Sequence, residues 1–368
     1  MNPSRLLITG GAGFIGSNFV RYWSGNNPGG RVVVLDALTY AGNRASLADL
    51  EASGSIRFVH GDIRDQARVE AVLREENIDT VVHFAAESHV DRSILGPDPF
   101  LETNVMGTHA LLKAAKSVWL DSDSAPAAHR FHHVSTDEVY GSLGIGDPAF
   151  TENTPYRPNS PYAASKAASD HIVRAYHHTY GLDITISNCS NNYGPYHFPE
   201  KLVPLMIINL LAGRELPVYG DGSNVRDWLH VEDHCQALER ILRDGVSGET
   251  YNIGGNAECG NLDMVKMLCA EMDARFERDA SLCERFASAP AAQGRSCSSL
   301  ISFVKDRPGH DFRYAIDATK IREQLHFFPT HTIETGIGRT IDWYLDNEAW
   351  WKVLLDERYR EWIDAQYG

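Results

Sequence analysis

Apolar and polar positions follow two alternating patterns along the first 140 residues. Short, almost uninterrupted apolar runs, typical of strands buried on both faces, alternate with longer segments of helical periodicity. The runs are Arg5–Thr9, Arg31–Leu35, Ile56–His60, Thr80–Phe84 and Phe131–Val134. This alternation predicts an α/β fold with a doubly wound parallel sheet.

A glycine-rich turn follows the first predicted strand. Gly10-Gly11-Ala12-Gly13-Phe14-Ile15-Gly16 matches G-x-G-x-x-G and G-x-x-G-x-x-G and opens the helical segment Ser17–Trp23. Such glycines allow a tight turn and let helix N–H groups approach a pyrophosphate. Asp36 ends the second strand, where an acid binds the adenosine ribose and repels a 2′-phosphate. The sequence therefore predicts a Rossmann-type sheet that binds NAD.

Two further strand ends offer candidate cofactor contacts. Asp62 follows the third strand, and it either reaches the adenine amino group or caps a helix from Arg64 onward. The fourth strand leads into Ala85-Ala86-Glu87-Ser88, where small residues allow the backbone to pass close to a cofactor.

Two adjacent carboxylates, Asp137 and Glu138, follow the fifth strand. Neighbouring carboxyl groups can serve as acid and base in an elimination of water if their environments separate their pKa values. A solvated acidic turn is the alternative. Because adjacent strand residues point to opposite faces, both carboxyls can approach one cavity with Tyr162 only from a strand end or turn.

The segment Ser160–Lys166 opens another predicted helix, with Ser160 as N-cap and Pro161 in the first helical position. Tyr162 and Lys166 then lie one turn apart on one face. An ammonium beside a phenol favours the phenolate, so the pair can remove a hydroxyl proton while hydride leaves the same carbon. An ordinary surface pair is the alternative.

Composition narrows the classes of partner. The formal net charge of −15 argues against nucleic acid and anionic membranes, so an anionic ligand needs local cations such as Lys201, Arg226 and Arg307. Six cysteines without a C-x-x-C pair, and no signal peptide, predict reduced thiols in the cytoplasm. The sixteen histidines show no metal-ligand spacing, so no metal is predicted.

The chain resembles the extended short-chain dehydrogenase/reductase superfamily. Within it, in the NAD-dependent epimerase/dehydratase family, it is similar to nucleotide-sugar 4,6-dehydratases over nearly its whole length. The resemblance rests on the motifs Leu38–Asn43, Ala85–Ser93, Phe131–Gly141, Asn188–Pro195 and Asp306–His310.

This resemblance implies a reaction. Tyr162, assisted by Lys166 and Thr136, would take the C4 hydroxyl proton as tightly bound NAD accepts the C4 hydride. Glu138 would remove the C5 proton while Asp137 protonates the departing C6 hydroxyl. Return of hydride to C6 would regenerate NAD and leave a 4-keto-6-deoxy sugar.

The resemblance also implies the ligand contacts. The cofactor contacts would be Gly10, Gly13, Phe14, Ile15, Gly16, Asp36, Ala37, Leu38, Thr39, Asp62, Ile63, Phe84, Ala85, Ala86, Ser88, Thr103, Tyr162, Lys166 and Asn192. The substrate, dTDP-glucose or a closely related nucleotide sugar, would contact Ser88, Thr136, Asn191, Lys201, Leu202, Pro217, Val218, Tyr219, Arg226, Asn261, Asp306, Arg307, Pro308, Gly309 and His310. A homodimer is implied, with helices near 101–120 and 162–180 at its interface.

At 368 residues the chain exceeds the usual size of a single core. We expect an NAD-binding Rossmann domain at 1–190, its sheet completed by segments near 225–255. Residues 191–368 are expected to form mainly a smaller, non-contiguous nucleotide-sugar-binding lobe. Residues 202–211 are predicted as a buried helix, and 275–300 as a solvent-exposed surface insertion, because this segment is longer than the family pattern.

Two rival functions share many of these residues. A nucleotide-sugar 4-epimerase would keep Gly13, Asp36, Tyr162 and Lys166, but it needs no acid–base pair for elimination. A non-catalytic NAD-binding protein would be free to lose Tyr162, Lys166 or Glu138. Residue types alone leave the nucleotide base open, so a 4,6-dehydratase for another nucleotide sugar is also an alternative.

Overall fold

The computed structural model describes residues 2–123, 126, 128–357, 359, 361, 363 and 366. Its strands are β1 (Arg5–Thr9), β2 (Arg31–Asp36), β3 (Ile56–His60), β4 (Thr80–His83), β5 (Arg130–Thr136), β6 (Ile184–Cys189), β7 (Asn191–Tyr193), β8 (Leu216–Tyr219), β9 (Val225–His230), β10 (Thr250–Ile253), β11 (Glu258–Gly260) and β12 (Ile301–Val304).

The α-helices are α1 (Phe14–Asn26), α2 (Ala48–Ala52), α3 (Gln66–Glu75), α4 (Val90–Leu95), α5 (Asp98–Phe100), α6 (Thr108–Trp119), α7 (Pro161–Tyr180), α8 (Leu202–Ala212), α9 (Val231–Asp244), α10 (Asn261–Arg278), α11 (Ser281–Arg285), α12 (Thr319–Leu325), α13 (Ile333–Asp346) and α14 (Glu348–Lys352). A π-helix, Leu101–Gly107, joins α5 to α6. In this described part of the chain, no helix is both long and apolar enough to span a membrane.

A seven-stranded parallel sheet is the main sheet of the protein, in the order β3-β2-β1-β4-β5-β6-β10. Alternate strand residues face opposite layers: Leu6 and Ile8 pack with α1 and α9, whereas Leu7 packs with α3 and α6. This two-sided burial explains the continuous apolar runs. The predicted Rossmann-type, doubly wound sheet is confirmed.

A smaller mixed lobe carries its own core. Its sheets have the orders β11-β9-β7 and β12-β8, and its apolar side chains come largely from α8, α10 and α13. The buried helix expected at 202–211 is α8, which packs into this core. Of the segments near 225–255 expected to complete the main sheet, Thr250–Ile253 is its seventh strand, whereas Val225–His230 belongs to the smaller lobe. The division at residue 190 stays a prediction.

The expectation of a solvent-exposed insertion at 275–300 is wrong for its apolar side chains. Leu282, Phe286, Ala289 and Cys297 are at most 6% exposed and belong to the core of the smaller lobe. Leu282 lies on α11, and Phe286 and Ala289 lie in the turn that follows it, so this stretch turns its apolar side chains inward and gains the free energy of burial. The extra length of this segment therefore enlarges the core.

Candidate active site

A cleft of about 600 Å³ opens at the carboxyl ends of the strands of the main sheet, the edge where such sheets bind ligands. All predicted cofactor contacts except Leu38 line it. Of the predicted substrate contacts, the structure places Ser88, Thr136, Asn191, Lys201 and Leu202 in its walls. The others, at 217–219, 226, 261 and 306–310, lie outside this lining.

The glycine turn presents bare backbone to the cleft. A Cβ added at Gly10 would lie 2.6 Å from the Ala85 backbone, and one at Gly16 would lie 2.2 Å from the Gly10 carbonyl oxygen. Gly13, at the N-cap of α1, has no side chain to cover the first N–H groups of the helix. Close packing and open N–H groups together fit a dinucleotide pyrophosphate.

Asp36 is held in place at the end of β2. Its carboxylate accepts hydrogen bonds from the backbone N–H groups of Ala12 (2.9 Å) and Leu38 (2.8 Å). This geometry suits a ribose diol, which can donate to the same carboxylate. Asp62 lines the cleft but is not the cap of α3, because Asp65 occupies that position and accepts from the Arg68 N–H.

Asp137 and Glu138 begin a 3₁₀ turn, Asp137–Tyr140, directly after β5. The Thr136 hydroxyl caps this turn by accepting a hydrogen bond from the Glu138 N–H at 3.3 Å. Successive residues of such a turn are rotated by about 120° rather than 180°. Both side chains therefore line the cleft with Tyr162, and the prediction of a strand end or turn is confirmed.

The surroundings of the two carboxyl groups differ. Burial raises the pKa of Asp137 well above its usual range, and the charges of Glu138 and Asp227 raise it further. Burial also raises the pKa of Glu138, but the charges of Arg307, Lys201 and Arg226 oppose this rise. The arrangement favours a protonated Asp137 beside a Glu138 that ionises more readily.

Tyr162 and Lys166 lie in the interior, where the alternative of a surface pair is wrong: they are 8% and 4% exposed. Ser160 caps α7 by accepting from the Ala163 N–H, and Pro161 follows at the first helical position, as predicted. Burial lowers the pKa of Lys166 to about 8. Burial and Glu138 raise the pKa of Tyr162, which a hydrogen bond with Thr136 opposes.

The three predicted cations lie close enough to Glu138 for the charge of each to lower its pKa, although only Lys201 lines the cleft. Lys201 donates to the Ser88 carbonyl (3.0 Å), and Arg226 donates to backbone carbonyls including that of Asp311 (2.9 Å). Arg307 donates to Asp91 at 3.2 Å. Hydrogen bonds to the protein thus orient all three cations before a ligand binds.

Sequence reasoning missed several residues of the site. Asp91, buried on α4, accepts from Arg307 and from the Tyr219 hydroxyl (3.4 Å) and so links both lobes. Its only sequence signal is membership of the motif Ala85–Ser93. Other lining residues that carried no assigned role include Glu87, Cys189, His197, Phe198, Glu200 and Trp228.

One group of potential metal ligands occurs among the described residues. Ligand atoms of His230, Glu232 and His331 lie within 4.8 Å of one another. The sequence offered no sign of this group, because His331 is distant along the chain. The Arg339 guanidinium lies 2.9 Å from the His331 Nε2 and 3.5 Å from the Glu232 carboxylate, so a cation already faces the group. The predicted absence of a metal stays a prediction.

Comparisons with known proteins agree on one family. Residues 7–340 match the family model of GDP-mannose 4,6 dehydratase. The chain is 56% identical to the dTDP-glucose 4,6-dehydratase of Xanthomonas campestris pv. campestris (strain B100), covering 96% of this chain and 97% of that protein. It is 50% identical to dTDP-glucose 4,6-dehydratase 1 of Escherichia coli (strain K12), covering 99% of each.

A solved structure is similar over the same range. The crystal structure of DesIV, a dTDP-glucose 4,6-dehydratase from Streptomyces venezuelae with NAD and TYD bound, superposes with a TM-score of 0.84. The two chains are 48% identical, and the match covers 95% of this chain and 99% of DesIV.

Proposed function

The chain belongs to the GDP-mannose 4,6 dehydratase family, and we propose that it is an NAD-dependent dTDP-glucose 4,6-dehydratase, a hydro-lyase. It converts dTDP-glucose to dTDP-4-keto-6-deoxyglucose and water. The observation that carries this proposal is the placement of Asp137 and Glu138 in one cleft with Tyr162. A 4-epimerase has no use for this acid–base pair, so the pair favours dehydration.

The residues that would hold NAD are those of the glycine turn, together with Asp36. When bound, NAD supplies the chemistry of accepting the hydride from C4 and returning it to C6. The backbone of Gly10 and Gly16 leaves room for the pyrophosphate, and Asp36 offers its carboxylate to the adenosine ribose.

Tyr162 begins the reaction by taking the C4 hydroxyl proton. Its surroundings alone raise its pKa, so the phenolate needs positive charge nearby. Lys166 lies one helical turn along α7 and provides an ammonium. The Thr136 hydroxyl hydrogen-bonds to the phenol and so favours the same form.

Glu138 and Asp137 then act on the ketone. A C4 ketone acidifies the C5 hydrogen, which Glu138 removes as base while Asp137 protonates the departing C6 oxygen. Glu138 later returns its proton to C5. Each turnover therefore leaves Tyr162 with one extra proton and Asp137 with one too few. The Thr136 hydroxyl lies 3.4 Å from Asp137 Oδ1 and also contacts Tyr162, so it is placed to relay a proton from Tyr162 to Asp137.

The nucleotide end of the substrate would extend from the cleft into the smaller lobe. Lys201, Arg226 and Arg307 supply the positive charge that a diphosphate needs in a protein of net charge −15. Beyond them, the half-buried Tyr219 ring, which packs edge-on against His310 with ring centroids 6.0 Å apart, offers an aromatic surface to the base. We assign the predicted contacts at 217–219, 261 and 306–310 to this end.

A panel assay tests the function. Purified protein is incubated without added NAD with dTDP-glucose, UDP-glucose, CDP-glucose, GDP-glucose and GDP-mannose, and the 4-keto product is detected by its absorbance in base. We expect dTDP-glucose to be dehydrated fastest. Clean interconversion of glucose and galactose nucleotides would instead establish an epimerase, and preference for GDP-mannose would overturn the proposed substrate.

We also propose a homodimer in the cytoplasm. Apolar side chains are exposed on the helices predicted for the interface: Leu101 (49%), Met106 (59%) and Tyr180 (49%). Burial of these side chains against a second copy would favour association. Analytical ultracentrifugation should show a dimer that Met106→Glu weakens and Ile145→Glu, at an 89% exposed position elsewhere, does not. A monomeric wild-type protein would refute the proposal.

A further inference from the structure

Lys166 is a charged side chain in the protein interior. Its Nζ donates to the Val134 carbonyl at 2.9 Å and lies 3.5 Å from His133 Nε2. A carbonyl and a neutral ring stabilise an ammonium only partly, and burial without a counter-charge strongly favours the neutral amine. The role proposed for Lys166 requires the charged form, so the source of the counter-charge matters.

Asp170 lies on the same face of α7, one turn beyond Lys166, and is fully buried. Its Oδ1 lies 3.2 Å from His133 Nε2 and has no aligned hydrogen-bond donor. Its Oδ2 accepts from Ser135 Oγ (3.0 Å) and from the Tyr156 hydroxyl (2.7 Å). One carboxylate oxygen is therefore anchored, and the other faces the His133–Lys166 side.

The charges of this cluster support a carboxylate acting on an ammonium. Burial would raise the pKa of Asp170, but contact with His133 and the charges of Lys166 and Arg174 hold it below its usual value. Burial and the charge of Lys166 lower the pKa of His133 to about 4, so the imidazole is neutral at pH 7. Both contacts are made by Nε2, which can donate to Asp170 or accept from Lys166 but not both, so the neutral ring lies beside the two charges without adding one.

The other titratable groups around Lys166 do not supply a negative charge. Burial raises the pKa of Cys189, on β6, to about 12 and keeps the thiol neutral. Burial also keeps His83, on β4, neutral, and Tyr162, on α7, is charged only as the phenolate, the form that the Lys166 ammonium is needed to stabilise. Within the described residues, Asp170 is the carboxylate whose charge raises the pKa of Lys166.

We propose that Asp170, through its charge, is a positioning residue that keeps Lys166 protonated and oriented toward Tyr162. The inference rests on the proposed function, because it explains how Lys166 retains the charge that favours the phenolate. His133 lies beside this pair, whereas its neighbour His132 faces the opposite side of β5 and contacts Thr185 and Ser187.

The test is the pH dependence of turnover in Asp170→Asn holoenzyme. Without the carboxylate, the pKa of Lys166 falls further below about 8, so Lys166 loses its proton at lower pH. In a plot of kcat for dTDP-glucose against pH, we expect the high-pH limb to move to lower pH by about 1–2 pH units. The activity of Asp170→Asn should fall about tenfold or more at pH 8 and by less at pH 6.5. Asp170→Glu, which keeps the charge, should return the high-pH limb to its wild-type position.

Tyr156→Phe is the matched control, because it removes a hydrogen bond to the same carboxylate but keeps its charge. A purely structural role predicts that Asp170→Asn and Tyr156→Phe both lose activity in proportion to folded protein, with the limb unmoved. That result would overturn the inference. In a Lys166→Met background, Asp170→Asn should add no further loss, because its effect passes through Lys166.

Asp170→Ser provides the same test if Asp170→Asn does not fold. It also removes the negative charge, and the high-pH limb should move in the same direction. An unmoved limb in folded Asp170→Ser protein would also overturn the inference. If the wild-type protein does not dehydrate dTDP-glucose, the proposed function fails; if it does and the limb is unmoved in the variants, only the role of Asp170 fails.

Discussion

Glu138→Gln separates the steps of the proposed reaction. The substitution preserves shape but removes the base, so oxidation at C4 should proceed while removal of the C5 proton is lost. A positioned general base contributes about 10²- to 10⁴-fold to a rate, or about 3–5 kcal/mol of barrier. The three cations that oppose the raised pKa of Glu138 favour its ionised form, so we expect the loss toward the upper end of this range.

Two measurements test this prediction. Stopped-flow absorbance at the nicotinamide band should show reduced cofactor accumulating in the Glu138→Gln variant. In deuterated water, its product and recovered substrate should carry no deuterium at C5. Asp137→Asn is the matched control, because it leaves the base in place and removes the acid, so C5 exchange should persist while water loss stops.

The reasoning fails if Glu138→Gln dehydrates the substrate at the wild-type rate. It also fails if the variant still exchanges the C5 hydrogen with solvent at that rate. Either result would assign the base to another side chain, and Asp137 would be the next to test.

Three further predictions concern the cofactor, pH and the core. Gly16→Ala should lose bound NAD on gel filtration, because its Cβ would lie 2.2 Å from a backbone oxygen, whereas Gly25→Ala, in open space on α1, should retain it. Asp137→Asn should raise the free energy of unfolding at pH 8 but not at pH 4, because a carboxyl whose pKa is raised by folding contributes stability at low pH that is lost as pH rises. Equal gains in the free energy of unfolding at both pH values would contradict this prediction. Phe286→Ala should lower the free energy of unfolding by about 3–5 kcal/mol in denaturant titrations, whereas Val353→Ala, at a 68% exposed position, should change it by less than about 0.5 kcal/mol. Equally small changes for both variants would mean that Phe286 does not belong to the core.

Local patterns were sufficient where a single element determines the geometry. The glycine turn, the apolar strands and the cap of α7 are specified by residues adjacent in sequence, because turn conformation and helix capping depend on neighbours. Lys166 and Tyr162 could be paired from their spacing of one helical turn. Even the turn at Asp137 and Glu138 followed from the requirement that both face one cavity.

Patterns failed where the environment of a residue comes from distant segments. The burial of Leu282, Phe286, Ala289 and Cys297 could not be inferred from the excess length of their segment, because it depends on packing against α8 and α10. Asp91 appeared as one polar residue of a motif until Arg307, from the other lobe, was placed 3.2 Å away.

The sequence by itself determined the parallel sheet, the dinucleotide turn and the set of reactive side chains. Only the tertiary structure decided their protonation: it buried Asp137 beside Glu138, brought Arg226 and Arg307 from the smaller lobe toward Glu138, and buried Lys166 and Asp170 against His133 of β5. The physical reason is that backbone preferences act between neighbours in sequence. Desolvation and Coulomb interactions act between neighbours in space, and the same carboxyl group is acid or base according to what surrounds it.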